Sequence, residues 1–382
     1  MKITRVETFL VPPRWLFCRI ETDDGLVGWG EPVAEGSAEV VRTCVHQLGE
    51  LLIGQDPLAI EDHWQTMTRS TFYRGGVILA SAVSGLDQAL WDIAGKARNA
   101  PVHELLGGPV RDRVRIYGWV GSDDPGQVAD QVSAQLELGL TAVKMGVGTQ
   151  LKPIVDQSQV DAVVANAAAA RDVLGPTRDF AVDFHGRVTR PSAPRLIAAL
   201  EPYGPMFIEE PLVPEQTAHL GHLVERTTVP IATGERLYSR QEFLPVLHQG
   251  VSVVQPDLCH AGGISEGRRI GALAETFGAL LAPHCPLGPI ALAASLQVDF
   301  ATPNFLIQEQ SLGIHYHSGG NELLDYLVDP SVFTVSDGHV ARLTAPGLGI
   351  EVDEAAVRKA DRVGHAWRSP LCRMPDGSLA EW

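Results

Sequence analysis

Three carboxylates recur through the middle of the chain at a fixed interval. Asp183, Glu209 and Glu235 are separated by 26 residues each time. Each follows a short apolar run: Phe180-Ala181-Val182, Met206-Phe207-Ile208 and Ile231-Ala232-Thr233-Gly234. If the runs are neighbouring strands, the three acids meet at one height. Ionised carboxylates brought together repel one another and are costly to desolvate. A divalent cation among them removes that cost, and oxygen ligands without cysteine point to Mg2+. One such acid reads equally well as a solvated charge beside a strand end; three in register do not. Glu210 follows Glu209 directly, so strand alternation turns it to the other side and gives it no metal role.

Two histidines accompany these acids. Asp183 and His185 are two residues apart, so on a continuing strand their side chains share a face and His185 lines the same cavity. Asp257 and His284 close two further runs and are 27 residues apart, one repeat. An aspartate bonded to one ring nitrogen of a histidine fixes the tautomer and raises the basicity of the other. That pair reads as a general base. Glu309 ends the last run, Phe305-Leu306-Ile307-Gln308.

The elements that must position these groups are eight apolar runs at roughly 25-residue intervals: 114–117, 142–145, 180–183, 206–209, 230–233, 252–255, 279–282 and 305–308. Between them lie segments of helical pattern, such as 160–174 and 267–277. Eight strand–helix repeats predict an α/β fold of the TIM-barrel type, whose strands converge at their C-terminal ends on one mouth. An open, doubly wound sheet would need a Gly-rich phosphate loop after the first strand, and none is present. Residues 1–112 read as a separate α+β domain. Ile3–Phe9, Phe17–Thr22 and Leu26–Gly30 alternate as strands, with Asp23-Asp24-Gly25 as a hairpin turn. Residues 38–99 turn helical, most clearly over 81–97, where Val83, Leu86, Leu90 and Ile93 share one face. The barrel then occupies 113–320. The turn-rich segment 321–382 is expected to pack back on the first domain.

The composition supports a large folded protein. The 382 residues are 45% hydrophobic and 20% charged, which argues against disorder. The net charge of −16 and the lack of a Lys/Arg run argue against nucleic-acid binding. No run approaches the length of a membrane span, and the N-terminal stretch lacks the apolar region of a signal peptide. Five scattered cysteines without a CxxC fit reduced thiols in the cytoplasm.

These residues resemble the mandelate-racemase-like branch of the enolase superfamily, over nearly the whole chain. The resemblance includes Ala89-Leu90-Trp91-Asp92-Ile93-Ala94-Gly95-Lys96 and Leu105-Leu106-Gly107-Gly108. Within the branch the chain is most similar to the galactonate dehydratases, through Pro12-Pro13-Arg14-Trp15, Phe72-Tyr73-Arg74-Gly75-Gly76, Asp183-Phe184-His185-Gly186-Arg187, Ala282-Pro283-His284-Cys285-Pro286-Leu287-Gly288-Pro289 and Gln308-Glu309-Gln310-Ser311-Leu312-Gly313-Ile314-His315-Tyr316. The resemblance implies a (β/α)7β barrel with an α+β capping domain. It implies Mg2+ held by Asp183, Glu209 and Glu235, a His284–Asp257 dyad, His185 as second acid/base and Glu309 bonded to the substrate carboxylate. The expected reaction is dehydration of an anionic sugar acid, D-galactonate first, to a 2-keto-3-deoxy acid. Dehydration of another aldonate such as gluconate, or epimerisation, is the alternative, and a homo-oligomer is expected. Lys144 is assigned to the substrate carboxylate, and Arg14 and Tyr73 to substrate-selecting loops. Racemising relatives carry Lys-x-Lys on the second strand; here Lys144-Met145-Gly146 has no second lysine.

Overall fold

The computed structural model describes residues 1–148, 150–312 and 323–382. Alternating residues and the turn at Gly25 (φ +88°) form an antiparallel meander of β1 (Ile3–Val11), β2 (Trp15–Thr22) and β3 (Val27–Gly30). Three helices complete this cap: α1 (Ala38–Leu52), α2 (Ile60–Arg69) and α3 (Val77–Arg98). Gly28 and Gly30 let α3 lie against β3, since a Cβ on them would fall 2.0 Å from Ala89 O and 1.8 Å from Gly85 O. α3 is the one described helix long and apolar enough to cross a membrane. Its residues 81–90 are all buried within the fold.

After the short α4 (Val102–Leu105) comes β4 (Arg113–Arg115), then the barrel. Its strands are β5 (Gly118–Val120), β6 (Ala142–Gly146), β7 (Asp179–Asp183), β8 (Ile208–Glu209), β9 (Ile231–Thr233), β10 (Val253–Val254) and β11 (Leu280–Leu281). They pair in parallel, each with the next in chain order. Residues 305–308 close the ring: Phe305 bridges Leu281 and Gln308 bridges Ile116, both in parallel. Helices α5 (Pro125–Glu137), α6 (Gln157–Leu174), α7 (Ala193–Leu200), α8 (Leu220–Val224), α9 (Arg240–His248), α10 (Gly263–Thr276) and α11 (Pro289–Ala301) alternate with the strands.

The run read as the first barrel strand is divided. β4 pairs antiparallel with β13 (His339–Ala341) of a tail hairpin whose other strand is β12 (Val335–Ser336), while Ile116 already bridges Gln308 in the barrel and β5 follows from Gly118. The tail also contains a helix that turn-rich composition does not predict, α12 (Glu354–Asp361), capped by Asp353. It lies on the cap, where Asp361 accepts from Leu10 N at 2.7 Å and Glu354 from Arg19 at 3.2 Å.

Buried polar contacts seat the cap on the segments that follow β10 and β11. Gln88 of α3 donates to Leu258 O at 2.9 Å and accepts from Glu31 N at 2.8 Å. Asp87 accepts from the Ser265 backbone at 2.9 Å and from its hydroxyl at 2.5 Å. Glu31 accepts from Gly288 N at 2.7 Å and Ala291 N at 2.9 Å, at the N-terminus of α11 where a helix presents unpaired N–H groups. Burial pushes the Glu31 carboxyl up to about 8, against those two backbone bonds.

Candidate active site

The barrel interior explains how the functional residues come to share a level. Ala142, Ala181, Phe207, Val253, Ala282 and Ile307 pack together in the barrel centre as part of one buried layer. Side chains two apart on a strand face the same way. The next inward positions are therefore Lys144, Asp183, Glu209, Gln255, His284 and Glu309: an apolar floor carries a polar layer directly above it. Ala232 belongs to the same floor, but Gly234 follows it two residues later. Gly234 sits at φ +148°, and a Cβ there would lie 2.6 Å from Phe243. The break in register brings Glu235 rather than residue 234 to the cavity.

Lys144 sits at the centre of this layer with a relative exposure of 2%. Its Nζ is 2.5 Å from Glu209 Oε1, 2.7 Å from Glu309 Oε1 and 3.9 Å from Asp183 Oδ2. Burial alone would lower its pKa; Glu209 and Glu309 more than reverse that and hold it well above its ordinary value. Burial raises the Glu209 carboxyl far above the ordinary range, with repulsion from Asp183, Glu309 and Glu235 adding to it and Lys144 opposing. Gln255 Nε2 donates to the other oxygen of Glu209 at 2.7 Å.

Asp183 and Glu209 are direct partners in the β7–β8 ladder, and the charges of Asp183 and Glu235 both bear on Glu209. A trio of crowded, hard oxygen donors fits a divalent cation, which would relieve their repulsion. As the side chains stand, no three His, Cys, Asp or Glu groups among the described residues close into one ligating shell. Lys144 and Gln255 occupy both oxygens of Glu209 in their place.

Glu235 stands between the two histidines. Its Oε2 is 3.5 Å from His284 Nε2 and its Oε1 is 4.0 Å from His185 Nε2. His284 Nδ1 donates to Asp257 Oδ2 at 2.8 Å, and Asp257 Oδ1 accepts from Cys259 N at 2.6 Å. Burial would lower the His284 pKa; Glu235, Glu309 and Asp257 together raise it well above the ordinary value. Glu309 Oε2 accepts from Cys285 N at 3.0 Å.

His185 reaches the cavity by a route that strand alternation does not describe. β7 ends at Asp183, and His185 takes a left-handed conformation at φ 51°, its N–H donating to Asp183 Oδ1 at 2.7 Å. Glu210 turns away from the trio, accepting from Thr233 Oγ1 at 2.7 Å, Gly234 N at 2.9 Å and Arg236 Nη2 at 2.5 Å.

Lys144, Asp183, His185, Glu235, His284 and Glu309 line a cavity of about 490 Å³; Glu209, Gln255 and Asp257 do not line it. Arg14 lines it, donating to Pro286 O at 3.1 Å. Tyr73 does not line it: its ring is 87% exposed and packs edge-on against Phe72 at 5.3 Å. Of the last resemblance string, residues 313–316 lie outside the described residues. Sequence reasoning did not single out Gln255, Glu35, His260 or Trp382. His260 Nε2 is 3.3 Å from Glu35 Oε2 and 3.7 Å from Asp257 Oδ2. The Asp257-x-x-His260 spacing was the available signal.

Comparison with known proteins covers both halves of the fold. Residues 10–107 match the mandelate racemase/muconate lactonizing enzyme N-terminal domain, and residues 127–356 match the enolase C-terminal domain-like family. The chain is 52% identical over 383 residues to a D-galactonate dehydratase of Variovorax paradoxus and 51% identical over 384 residues to one of Pectobacterium atrosepticum, covering 100% of both chains in each case. A crystal structure of an enolase from Agrobacterium radiobacter, bound to Na and L-malate, superposes with a TM-score of 0.91 at 36% identity, covering 100% of both chains. A mandelate racemase/muconate lactonizing enzyme from Jannaschia sp. CCS1 gives 0.88 at 33% identity, covering 97% of this chain and 100% of that one.

Proposed function

Because the chain belongs to the mandelate racemase/muconate lactonizing enzyme family of the enolase superfamily, we propose that it is a sugar-acid dehydratase acting on D-galactonate. The observation that carries this reading is the placement of His284 and His185 on either side of Glu235, facing one cavity. Elimination of water needs a base for the proton next to the carboxylate and an acid for the departing hydroxyl, and two imidazoles supply both. Gly146 adds open space, the nearest side-chain atom to a Cβ there being Arg187 Nη1 at 3.9 Å, and no proton carrier. That supports elimination over racemisation.

Asp183, Glu209 and Glu235 would hold Mg2+, which supplies Lewis-acid neutralisation of the substrate carboxylate when bound. His284, oriented by Asp257, removes the C2 proton. Glu309 and Lys144 stand where charge develops on the carboxylate, as a hydrogen-bond partner and a buried cation. His185 gives its Nε2 proton to the 3-hydroxyl, which leaves as water because hydroxide is a poor leaving group. The resulting enol tautomerises to the 2-keto-3-deoxy acid. A screen of C5 and C6 aldonates with and without Mg2+, read by 2-keto acid formation, tests the reading. Product from D-galactonate is expected. Product from gluconate alone would move the substrate and keep the reaction; epimer without keto acid would overturn the dehydration.

A further inference from the structure

The tail does more than cover the cap. The strand-like pair Arg373 and Leu379 forms a tight turn, with Met374 N donating to Ser378 O at 2.9 Å. Gln150, in the loop after β6, moors it by donating to Arg373 O at 3.1 Å. Beyond the turn, Glu381 and Trp382 line the catalytic cavity. A main-chain oxygen of Trp382 accepts a hydrogen bond from His185 Nδ1. The Trp382 indole meets the His185 ring edge-on at 5.9 Å and 88°, and meets Trp367 at 5.8 Å. Trp367 in turn carries the Arg14 guanidinium over its face at 5.1 Å.

We infer that Trp382 is a positioning residue for His185, doing with a main-chain oxygen what Asp257 does for His284; this rests on the dehydratase reading above. A main-chain oxygen only accepts, so Nδ1 must carry a proton, and Nε2 is the nitrogen turned toward Glu235 and the cavity. The indole edge fixes the ring plane. In the step this serves, the imidazolium of His185 is the acid: the C3–O bond breaks with its electron pair passing to oxygen, which takes the Nε2 proton and departs as water, leaving a neutral ring whose remaining proton stays on Nδ1 against Trp382. An imidazole free to rotate would present either nitrogen, at varying angles, to that oxygen.

The test compares the full chain, a chain ending at Ala380, and Trp382→Ala, which keeps the main-chain oxygen but loses the ring. Each is assayed on D-galactonate and on its 3-deoxy-3-fluoro analogue. Fluoride departs with far less help from an acid, so the assignment predicts a selective defect. The chain ending at Ala380 should lose water about 10- to 100-fold more slowly, while fluoride release changes by no more than about threefold. Trp382→Ala should show a smaller defect with the same selectivity. Unchanged water loss, or equal slowing of both eliminations, overturns the assignment, since a general disturbance of the cap would not distinguish the leaving groups. Long-range 1H–15N spectra of His185, taken at a pH where the ring is neutral, read the same question without substrate: the Nδ1–H tautomer in the full chain, and a mixture of tautomers after truncation. An unchanged spectrum also overturns it. If the full chain eliminates neither water nor fluoride, the dehydratase reading has failed, and the spectra alone decide the role of Trp382.

Discussion

Asp257 and His284 are joined twice, by a parallel backbone bridge at the ends of adjacent strands and by a 2.8 Å hydrogen bond between their side chains. The backbone bridge makes the side-chain bond a consequence of the barrel rather than of flexible loops. Asp257→Asn would place an amide where the carboxylate now accepts from Nδ1. Turnover is expected to fall by about 10²–10⁴ with little change in KM, and His284→Asn should yield no keto acid. Steady-state kinetics on D-galactonate checks both, and a fall confined to KM would remove the dyad from the chemical step.

Lys144 balances two buried carboxylates at once. Lys144→Met leaves Glu209 and Glu309 without their common cation, a loss on the order of 3–5 kcal/mol for a broken buried pair. Urea unfolding of the metal-free protein should show it. Mg2+ should restore part of the loss in the variant, because the crowded carboxylates then gain another cation. A variant as stable as the parent without metal would contradict the balance of charge described here.

Chelation should abolish turnover and added Mg2+ should restore it. Glu235→Gln should weaken Mg2+ binding, measured calorimetrically, by more than the roughly 10- to 100-fold that loss of an outer partner costs. The same substitution removes the carboxylate between the two imidazoles, so it should also depress activity at saturating metal.

Glu35 and His260 set a pH window for stability. Burial would raise the Glu35 carboxyl, but His260, Arg14 and His284 bring it down from 4.5 to about 2. Burial would lower His260, but Asp257 and Glu35 raise it above 6.5, with His284 opposing. The Glu35 contribution is complete above pH 4.5 and fades as pH falls toward 2; the His260 contribution is complete below pH 6.5 and fades as pH rises through its folded value. Glu35 in turn adds to the rise of the Glu31 carboxyl by repulsion, and Ser81 bonds the other ring nitrogen of His260. Glu35→Gln should therefore cost most between pH 4.5 and 6.5, about 2–3 kcal/mol, and progressively less below that range. Thermal unfolding across pH 3–9 tests this, and a difference independent of pH would refute it.

Arg14 and Tyr73 come from cap segments that the sequence treats alike, yet only Arg14 lines the cavity. Arg14→Ala should raise KM for the aldonate by about tenfold, in the range of a lost charged hydrogen bond. Tyr73→Ala should leave both Tm and KM close to the parent values. Equal effects on KM would show that the two segments act together.

The barrel was legible because its signal is local: each strand is a short apolar run, and the functional residue follows the inward apolar one at a spacing of two. That rule reaches Asp183, Glu209, His284 and Glu309 directly. It fails where the backbone leaves the extended form. His185 arrives through a left-handed turn, so the shared strand face expected of Asp183 and His185 is not what brings it there; Glu235 arrives through the break at Gly234, and only its 26-residue interval pointed to it. The run 114–117 alternates like a barrel strand, but its first half pairs with a hairpin more than 200 residues away, which no local pattern reveals. α12 escaped notice because its eight residues bury one apolar side chain, Val357, and make too short a run to stand out within a turn-rich tail. Trp382 and His260 act through contacts between distant segments, and their roles exist only after folding.

The contacts of Asp87, Gln88 and Glu31 with the barrel loops have a consequence for how the molecule comes apart. Each leaves a buried donor or acceptor stranded if one half opens without the other, so neither half gains by unfolding alone. Calorimetry should accordingly record one melting event. For the same reason, a chimera that takes its cap from a distant relative should be insoluble unless the matching loop residues travel with it.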